Sequence, residues 1–237
     1  MYRSGSNARQ TNRYDRPAVR SILPRLWQRD SAYEPELQVA IARRVRPGWT
    51  CADVGAHHGI FTRLLAELVG ENGRVVAFEA HPGNARRLRR SLGTRLRGRV
   101  TVENLAVTDG ATERVMLHPG RGRATTEWNI VGADVDGRPT PPELEVGATS
   151  LDAYFAGASL EFVKVDVEGA EAAVLRGMRK LLRERKPTLA VEFHNEGGWA
   201  GRSELLDAGY RLETLAGEAI DAELQAERVY QCLALPA

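Results

Sequence analysis

Residues Trp49 to His81 read W-T-C-A-D-V-G-A-H-H-G-I-F-T-R-L-L-A-E-L-V-G-E-N-G-R-V-V-A-F-E-A-H, and this stretch decides the fold. Thr50 to Val54 is a short apolar run ending in Asp53-Val54-Gly55, after which Ile60, Leu64, Leu65 and Leu68 recur at helical spacing. Gly55 and Gly59 bracket the turn between strand and helix. Such a turn brings backbone N–H groups and a helix N-terminus up to a ligand, with glycine where a Cβ would block the approach. The second strand, Arg74 to Phe78, runs into Glu79, twenty residues after Gly59. In doubly wound nucleotide folds an acid at that tip hydrogen-bonds ribose hydroxyls, so the stretch predicts a nucleoside site.

What the loop lacks narrows the nucleoside. A dinucleotide fingerprint, G-x-G-x-x-G, needs its middle glycine to admit a pyrophosphate, and His57 holds that position here. A ligand without phosphate needs only a shallow glycine bed. The pattern D-x-G-x-x-x-G followed by a strand-end Glu is similar to the motif of class I S-adenosylmethionine-dependent methyltransferases.

A chain of 237 residues suits one αβ domain with a full core rather than two domains. No apolar run approaches the ~20 residues of a membrane span, and the N-terminus lacks the apolar core of a signal peptide. The expectation is a cytoplasmic protein with no membrane partner. The formal charge of +2 argues for no polyanionic partner, although arginine supplies most of the positive side: Lys164, Lys180 and Lys186 are the lysines. Cys51 and Cys232 fall in predicted strands three sheet positions apart, about 14 Å at about 4.8 Å per strand, too far for a disulfide. They read as buried thiols.

Residues 1–32 form an arginine-rich N-terminal tail without apolar period, and 33–237 the folded domain. A helix over 35–46 ends at Pro47-Gly48 and leads into the first strand. After Glu79, Pro82 starts a helix to about Gly93 whose outer face carries Arg86, Arg87, Arg89 and Arg90; with Arg95, Arg97 and Arg99 beyond it, this reads as a solvated face rather than an RNA patch. A third strand spans Val100 to Asn104, and Val115-Met116-Leu117 forms an antiparallel addition. Residues 119–148 are rich in Gly and Pro and read as a lid-like insertion, with a hairpin turn at Asp136-Gly137, in which Trp128 and Asn129 are suited to gripping an acceptor. Ser150 caps a short helix. Phe162 to Val165 is a buried strand ending in Asp166, and Val167-Glu168-Gly169-Ala170-Glu171 opens a helix to about Arg183. Pro187 to Phe193 carries Glu192 and His194 at its exit, and two further strands follow. Alternating strands and helices predict an α/β, doubly wound, mainly parallel seven-stranded sheet with helices on both faces and ligands at the carboxyl ends of the strands.

Taken together, D-V-G-A-H-H-G, F-E-A-H-P-x-N, E-N-L-A-V-T-D, T-S-L-D, V-K-V-D-V-E-G-A-E-A-A-V-L-R-G and L-A-V-E-F-H resemble the FkbM family of methyltransferases over about residues 45–198. The resemblance implies the Rossmann-like class I fold, S-adenosylmethionine as methyl donor, and O-methylation of a small-molecule hydroxyl on a sugar or secondary metabolite. It also implies that Asp53, Gly55 and Gly59 line the methionine end, that Glu79 binds the ribose, and that Asn104, Leu105 and Ala106 flank the adenine. Ala56, His57, Ala80 and Asp166 complete the cofactor contacts. The acceptor side takes Trp128, Asn129, Glu168 and Trp199.

Methyl transfer from a sulfonium needs an in-line nucleophile and help for an alcohol to lose its proton. Asp166 and Glu192 fall at adjacent strand tips, with His194 beside them. The three read as the catalytic centre in either of two ways: as ligands of a divalent cation such as Mg²⁺, or with His194 or Asp166 as a direct general base. Glu168 and Glu171 have the bland alternative of charge compensation at a helix N-terminus. An RNA methyltransferase, for which the arginine helix would have to face the cleft, and a nucleotide-binding oxidoreductase are the rival functions. A homo-oligomer is compatible with either reading.

Overall fold

The computed structural model describes residues 22, 33–119, 128–130, 142–220 and 230–237. Apart from Ile22, which packs against the core, the arginine-rich tail lies outside the described residues, as do most of the 119–148 insertion and its Asp136-Gly137 turn. The first half of the domain runs α1 (Pro35–Arg44), β1 (Thr50–Val54), α2 (Ile60–Val69), β2 (Arg74–Phe78), α3 (Pro82–Ser91), α4 (Thr94–Arg97) and β3 (Val100–Glu103). Four short strands follow, β4 (Ala106–Val107), β5 (Arg114–Pro119), β6 (Trp128–Asn129) and β7 (Leu144–Thr149). The second half is α5 (Leu151–Tyr154), β8 (Phe162–Val165), α6 (Glu171–Arg176), α7 (Arg179–Glu184), β9 (Thr188–Phe193), α8 (Glu196–Ala200), α9 (Arg202–Asp207), β10 (Tyr210–Glu213) and β11 (Tyr230–Pro236).

Seven strands form one sheet in the order β10-β11-β9-β8-β1-β2-β3. β11 runs antiparallel to both neighbours and every other pair is parallel. Alternation along each strand feeds two cores. Cys51, Val75, Ala77, Phe162, Ala190 and Leu233 face α1 to α4, whereas Ala52, Val54, Val76, Val163, Val165 and Val191 face α6 to α9. Both cysteines are buried and free, and burial pushes both thiols up. No described helix is long and apolar enough to cross a membrane.

Three elements differ from the sequence reading. Leu144–Thr149, assigned to the turn-rich insertion, is a strand, because Leu144, Val146 and Ala148 alternate onto a small core with Ala106 and Leu117. With β4, β5 and β6 it makes a separate four-stranded sheet in the order β4-β7-β5-β6, so the 115–117 addition joins this sheet and not the main one. The single helix expected to run to about Arg183 is broken into α6 and α7 at Gly177-Met178. There the Gly177 carbonyl accepts from Asp152 N (2.9 Å), and a Cβ on Gly177 would sit 1.9 Å from the Thr108 carbonyl oxygen.

Helix propensity alone makes Gly177→Ala favourable by about 1 kcal/mol. Backbone–backbone crowding reverses the sign: the variant is expected to be destabilised by about 1–3 kcal/mol. Urea unfolding followed by circular dichroism measures this, and a variant at least as stable as wild type would show that Thr108 gives way.

Candidate functional site

A cavity of about 330 Å³ opens at the carboxyl ends of β1, β2 and β8. The turn after β1 forms its floor. Gly55 N and Ala56 N both donate to the Phe78 carbonyl (3.0 and 2.9 Å), which locks the turn to the end of β2. Gly55 has φ +83°, and a Cβ there would lie 1.7 Å from the Asp166 carbonyl oxygen. Gly59 has φ +78°, and its Cβ would meet Leu88 Cδ1 at 2.2 Å. The sequence reading attributed both glycines to ligand approach; the structure shows that close protein packing already requires them.

Glu79 is buried, and its two oxygens accept from backbone amides on opposite sides: His57 N to Oε2 (2.7 Å) and His81 N to Oε1 (2.9 Å). Burial raises its pKa, and those amides work against the rise. His57 sits at φ 47°, so a side chain occupies a left-handed turn position next to the cavity, with its ring against that of His58. Leu105, Ala106, Leu117 and Ile130 close the far side with apolar surface from the second sheet.

Of the expected cofactor residues, Gly55, Ala56, His57, Gly59, Glu79, Ala80, Leu105, Ala106 and Asp166 all line the cavity. Asp53 and Asn104 do not. Asp53 is fully buried one layer below, bound by the Thr62 hydroxyl, and burial raises its pKa. Asn104 donates to the Glu79 and Ala80 carbonyls (2.9 and 2.7 Å), strapping the tips of β2 and β3 together.

The three candidate catalytic residues do converge. Ligand-type atoms of Asp166, Glu192 and His194 lie within 4.8 Å of one another. Asp166 and Glu168 line the cavity, whereas Glu192 and His194 lie behind that wall and reach it through Asp166. His194 Nδ1 is 2.8 Å from Glu171 Oε1, and its Nε2 faces Asp166 (3.5 Å), Glu168 (3.6 Å) and Glu192 (3.7 Å). Burial alone lowers an imidazole pKa; Glu171, Glu168 and Asp166 outweigh it and push His194 up to about 9. The carboxylates around the ring thus favour its charged form. Burial raises Asp166, but Lys164 and His194 overcome this and hold its carboxyl below the usual range.

Sequence reasoning missed Glu171 and Tyr33 as site residues. Glu171 at a helix start looked like dipole compensation, and only the fold brings it onto His194. Tyr33, at the edge of the tail, lines the cavity. Lys164 pairs with Asp166 (2.7 Å), as its spacing suggested. Trp199 is placed elsewhere: it is 4% exposed, packed edge-on to Phe193 and Tyr230, and absent from the cavity wall. β6 pairs with β5 through His118↔Asn129 and Pro119↔Trp128, while the side chains of Trp128 and Asn129 lie outside the described residues. Arg86, Arg87 and Arg90 are exposed on α3, and no described arginine lines the cavity.

Residues 53–217 match the family model of the methyltransferase FkbM domain. No curated protein matches the chain. Among solved structures, an FkbM methyltransferase from Methylobacillus flagellatus KT superposes with a TM-score of 0.51 at 20% identity, covering 92% of this chain and 59% of that one. The chain therefore spans about three fifths of that protein. A protein from Clostridium thermocellum described as an rRNA methylase gives a TM-score of 0.52 at 16% identity, covering 86% and 96%. At these identities the likeness extends to the fold.

His194 gives this site a pH signature. Its folded pKa of about 9 exceeds the ordinary 6.5, so the stability it contributes is full below about pH 6.5 and is lost as pH rises through about 9. In EDTA, the stability advantage of wild type over His194→Gln is expected to shrink between pH 6.5 and 9.5 in parallel denaturant titrations. An advantage independent of pH would contradict the charged imidazole.

Proposed function

Because the chain belongs to the FkbM family of methyltransferases, we propose that it transfers a methyl group from S-adenosylmethionine to a hydroxyl of a small cytoplasmic molecule, a sugar or secondary metabolite. The observation that carries this reading is the cavity itself. A strand-tip carboxylate stands at one end for ribose hydroxyls, an apolar wall of Leu105, Leu117 and Ile130 suits a flat base, and a second carboxylate, Asp166, stands where an acceptor would meet the methyl group.

Bound S-adenosylmethionine supplies an electrophilic methyl carbon on a sulfonium. The protein's part is to hold the acceptor oxygen in line with the C–S bond and to receive its proton. The carboxylates at the strand tips would receive the hydroxyl proton as the acceptor oxygen took the methyl group, the electron pair of the donor's C–S bond remaining on sulfur. Asp166 is the member of that group that reaches the cavity. A divalent cation belongs to the same reading, Mg²⁺ on the Asp166 and Glu192 carboxylates or a softer ion with His194 as a further ligand, supported by the convergence of their ligand atoms; when bound it would lower the pKa of a nearby hydroxyl. The acceptor side is assigned to Trp128 and Asn129 of the 119–148 segment, on its length and turn-rich composition, and to Glu168, which lines the cavity.

The charge of the cavity favours a small acceptor over RNA. Among the described residues its carboxylates are Glu79, Asp166 and Glu168, its amine is Lys164, and Arg86, Arg87, Arg89 and Arg90 are exposed on α3 away from it. A polyanionic strand would meet acids at the reacting end.

Glu79→Gln keeps the side-chain volume but turns an amino group toward one of the two amides that the carboxylate binds. Affinity for S-adenosylhomocysteine should fall about 10- to 150-fold, the equivalent of about 1.5–3 kcal/mol for bonds to a charged group. Calorimetry giving wild-type affinity would remove the ribose assignment. Asp166→Asn should lose at least about 100-fold in methyl transfer, read as a methyl mass gain on a panel of hydroxylated acceptors, with circular dichroism as the folding control. Turnover within about threefold of wild type would move the chemistry away from Asp166.

A further inference from the structure

Glu171 is the first residue of α6 and is fully buried. An acid in a first helical turn ordinarily faces water, where it complements the helix dipole at no desolvation cost. A buried carboxylate needs partners. One oxygen, Oε1, accepts from Gly169 N (2.9 Å) and meets His194 Nδ1 (2.8 Å). The other, Oε2, has no hydrogen-bond partner among the described residues and lies against Gly198, where a Cβ would come within 2.2 Å of it. The fold leaves room for this carboxylate without paying back its burial through the second oxygen.

What the burial achieves is the orientation of one ring. With Nδ1 held by Glu171, Nε2 points away from α6 to Asp166 Oδ1 (3.5 Å) and Glu192 Oε1 (3.7 Å). These separations are long for hydrogen bonds. They match the spacing of neighbouring ligands around a divalent ion, roughly 3–4.5 Å for bonds of about 2.0–2.4 Å. The two carboxylates are pinned in the same manner. Asp166 Oδ2 is engaged by Lys164 Nζ (2.7 Å) and Glu192 Oε2 by Gln231 Nε2 (2.9 Å), which leaves one oxygen of each facing Nε2. Each of the three converging groups thus has its other polar atom fixed by an outer partner, the arrangement by which proteins aim metal ligands.

We propose that Glu171 is the positioning residue of a divalent-cation site formed by Asp166, Glu192 and His194, and that the ion it suits is one accepting mixed carboxylate and imidazole ligation, such as Mn²⁺. This inference rests on the cation reading above and adds to it a residue that touches neither ion nor cavity. Glu171 is absent from the cavity wall, so cofactor binding should not depend on it.

Mn²⁺ serves as the probe, titrated into the full chain and followed by electron paramagnetic resonance of the free ion, with calorimetry of S-adenosylhomocysteine as the control. Wild type is expected to bind one Mn²⁺. Glu171→Gln should weaken that binding about 10- to 100-fold with S-adenosylhomocysteine affinity unchanged. Gly198→Ala, which presses a Cβ on Oε2 and keeps the charge, should weaken Mn²⁺ binding in the same direction, and it covers the case in which Glu171→Gln fails to fold. Wild type without saturable Mn²⁺ binding would overturn the cation reading and this inference with it. Wild type that binds, with both variants binding equally well, would overturn the role of Glu171 and leave the cation reading standing.

Discussion

The buried ion pair between Lys164 and Asp166 holds the site together. The ammonium lies 2.7 Å from the carboxylate, above the ring of Phe61, and its side chain is 3% exposed. Lys164 is also in register with Asp53 on the neighbouring strand. An unpaired ammonium at this depth would be costly, and so would either acid alone. Lys164 and Asp166 thus neutralise each other at the level where the backbone turn begins, and the pair leaves the second oxygen of Asp166 facing the histidine. Burial pushes Lys164 down, but Asp166 and Asp53 more than offset this and keep it charged.

How much of this was legible in the chain depends on the distance over which each contact acts. The strand, glycine turn, helix and strand from Thr50 to Glu79 were readable because their periodicity and their turn are local, and the parallel order of the sheet followed from strand and helix alternation. Asp166, Glu192 and His194 were readable as a group because neighbouring strand tips must meet. The Glu171–His194 contact was not, since a helix-start acid has the same local signature whether it faces water or a buried ring. Trp199, expected on the acceptor side, is core because tertiary packing sets it against Phe193 and Tyr230, which its local sequence does not show. Gly177 carried no local sign that the Thr108 carbonyl would fill the space of its missing Cβ.

The distribution of charge divides the molecule in a way that composition hides. Within a net charge of +2, exposed arginines on α3 stand apart from a cluster of acids at the strand tips. On the outer surface Arg89 and Arg97 are spent on the Val102 and Leu92 carbonyls, and Arg95 on Glu67, so part of the apparent basic patch is structural. At the tips, Glu34 and Glu192 share a single amide group, Gln231 Nε2, at 3.0 and 2.9 Å. Among the described residues, a neutral donor thus takes over part of the work of holding acids in position.

β11 lies between β9 and β10 and carries Gln231 to the site, which gives the sheet an assembly order. As the chain leaves the ribosome, β9 emerges with Leu189, Ala190 and Val191 and has no partner on its outer side until β11 follows about forty residues later. β10 cannot close that edge, because its own hydrogen bonds go to β11. For that interval the nascent protein exposes an apolar, pairing-competent edge next to the unfinished acid cluster, the kind of surface that invites wrong strand pairing. Completion of the acid cluster and burial of the edge are thus one event in synthesis, so a nascent chain that has closed its sheet has also acquired Gln231 at the Glu192 carboxylate.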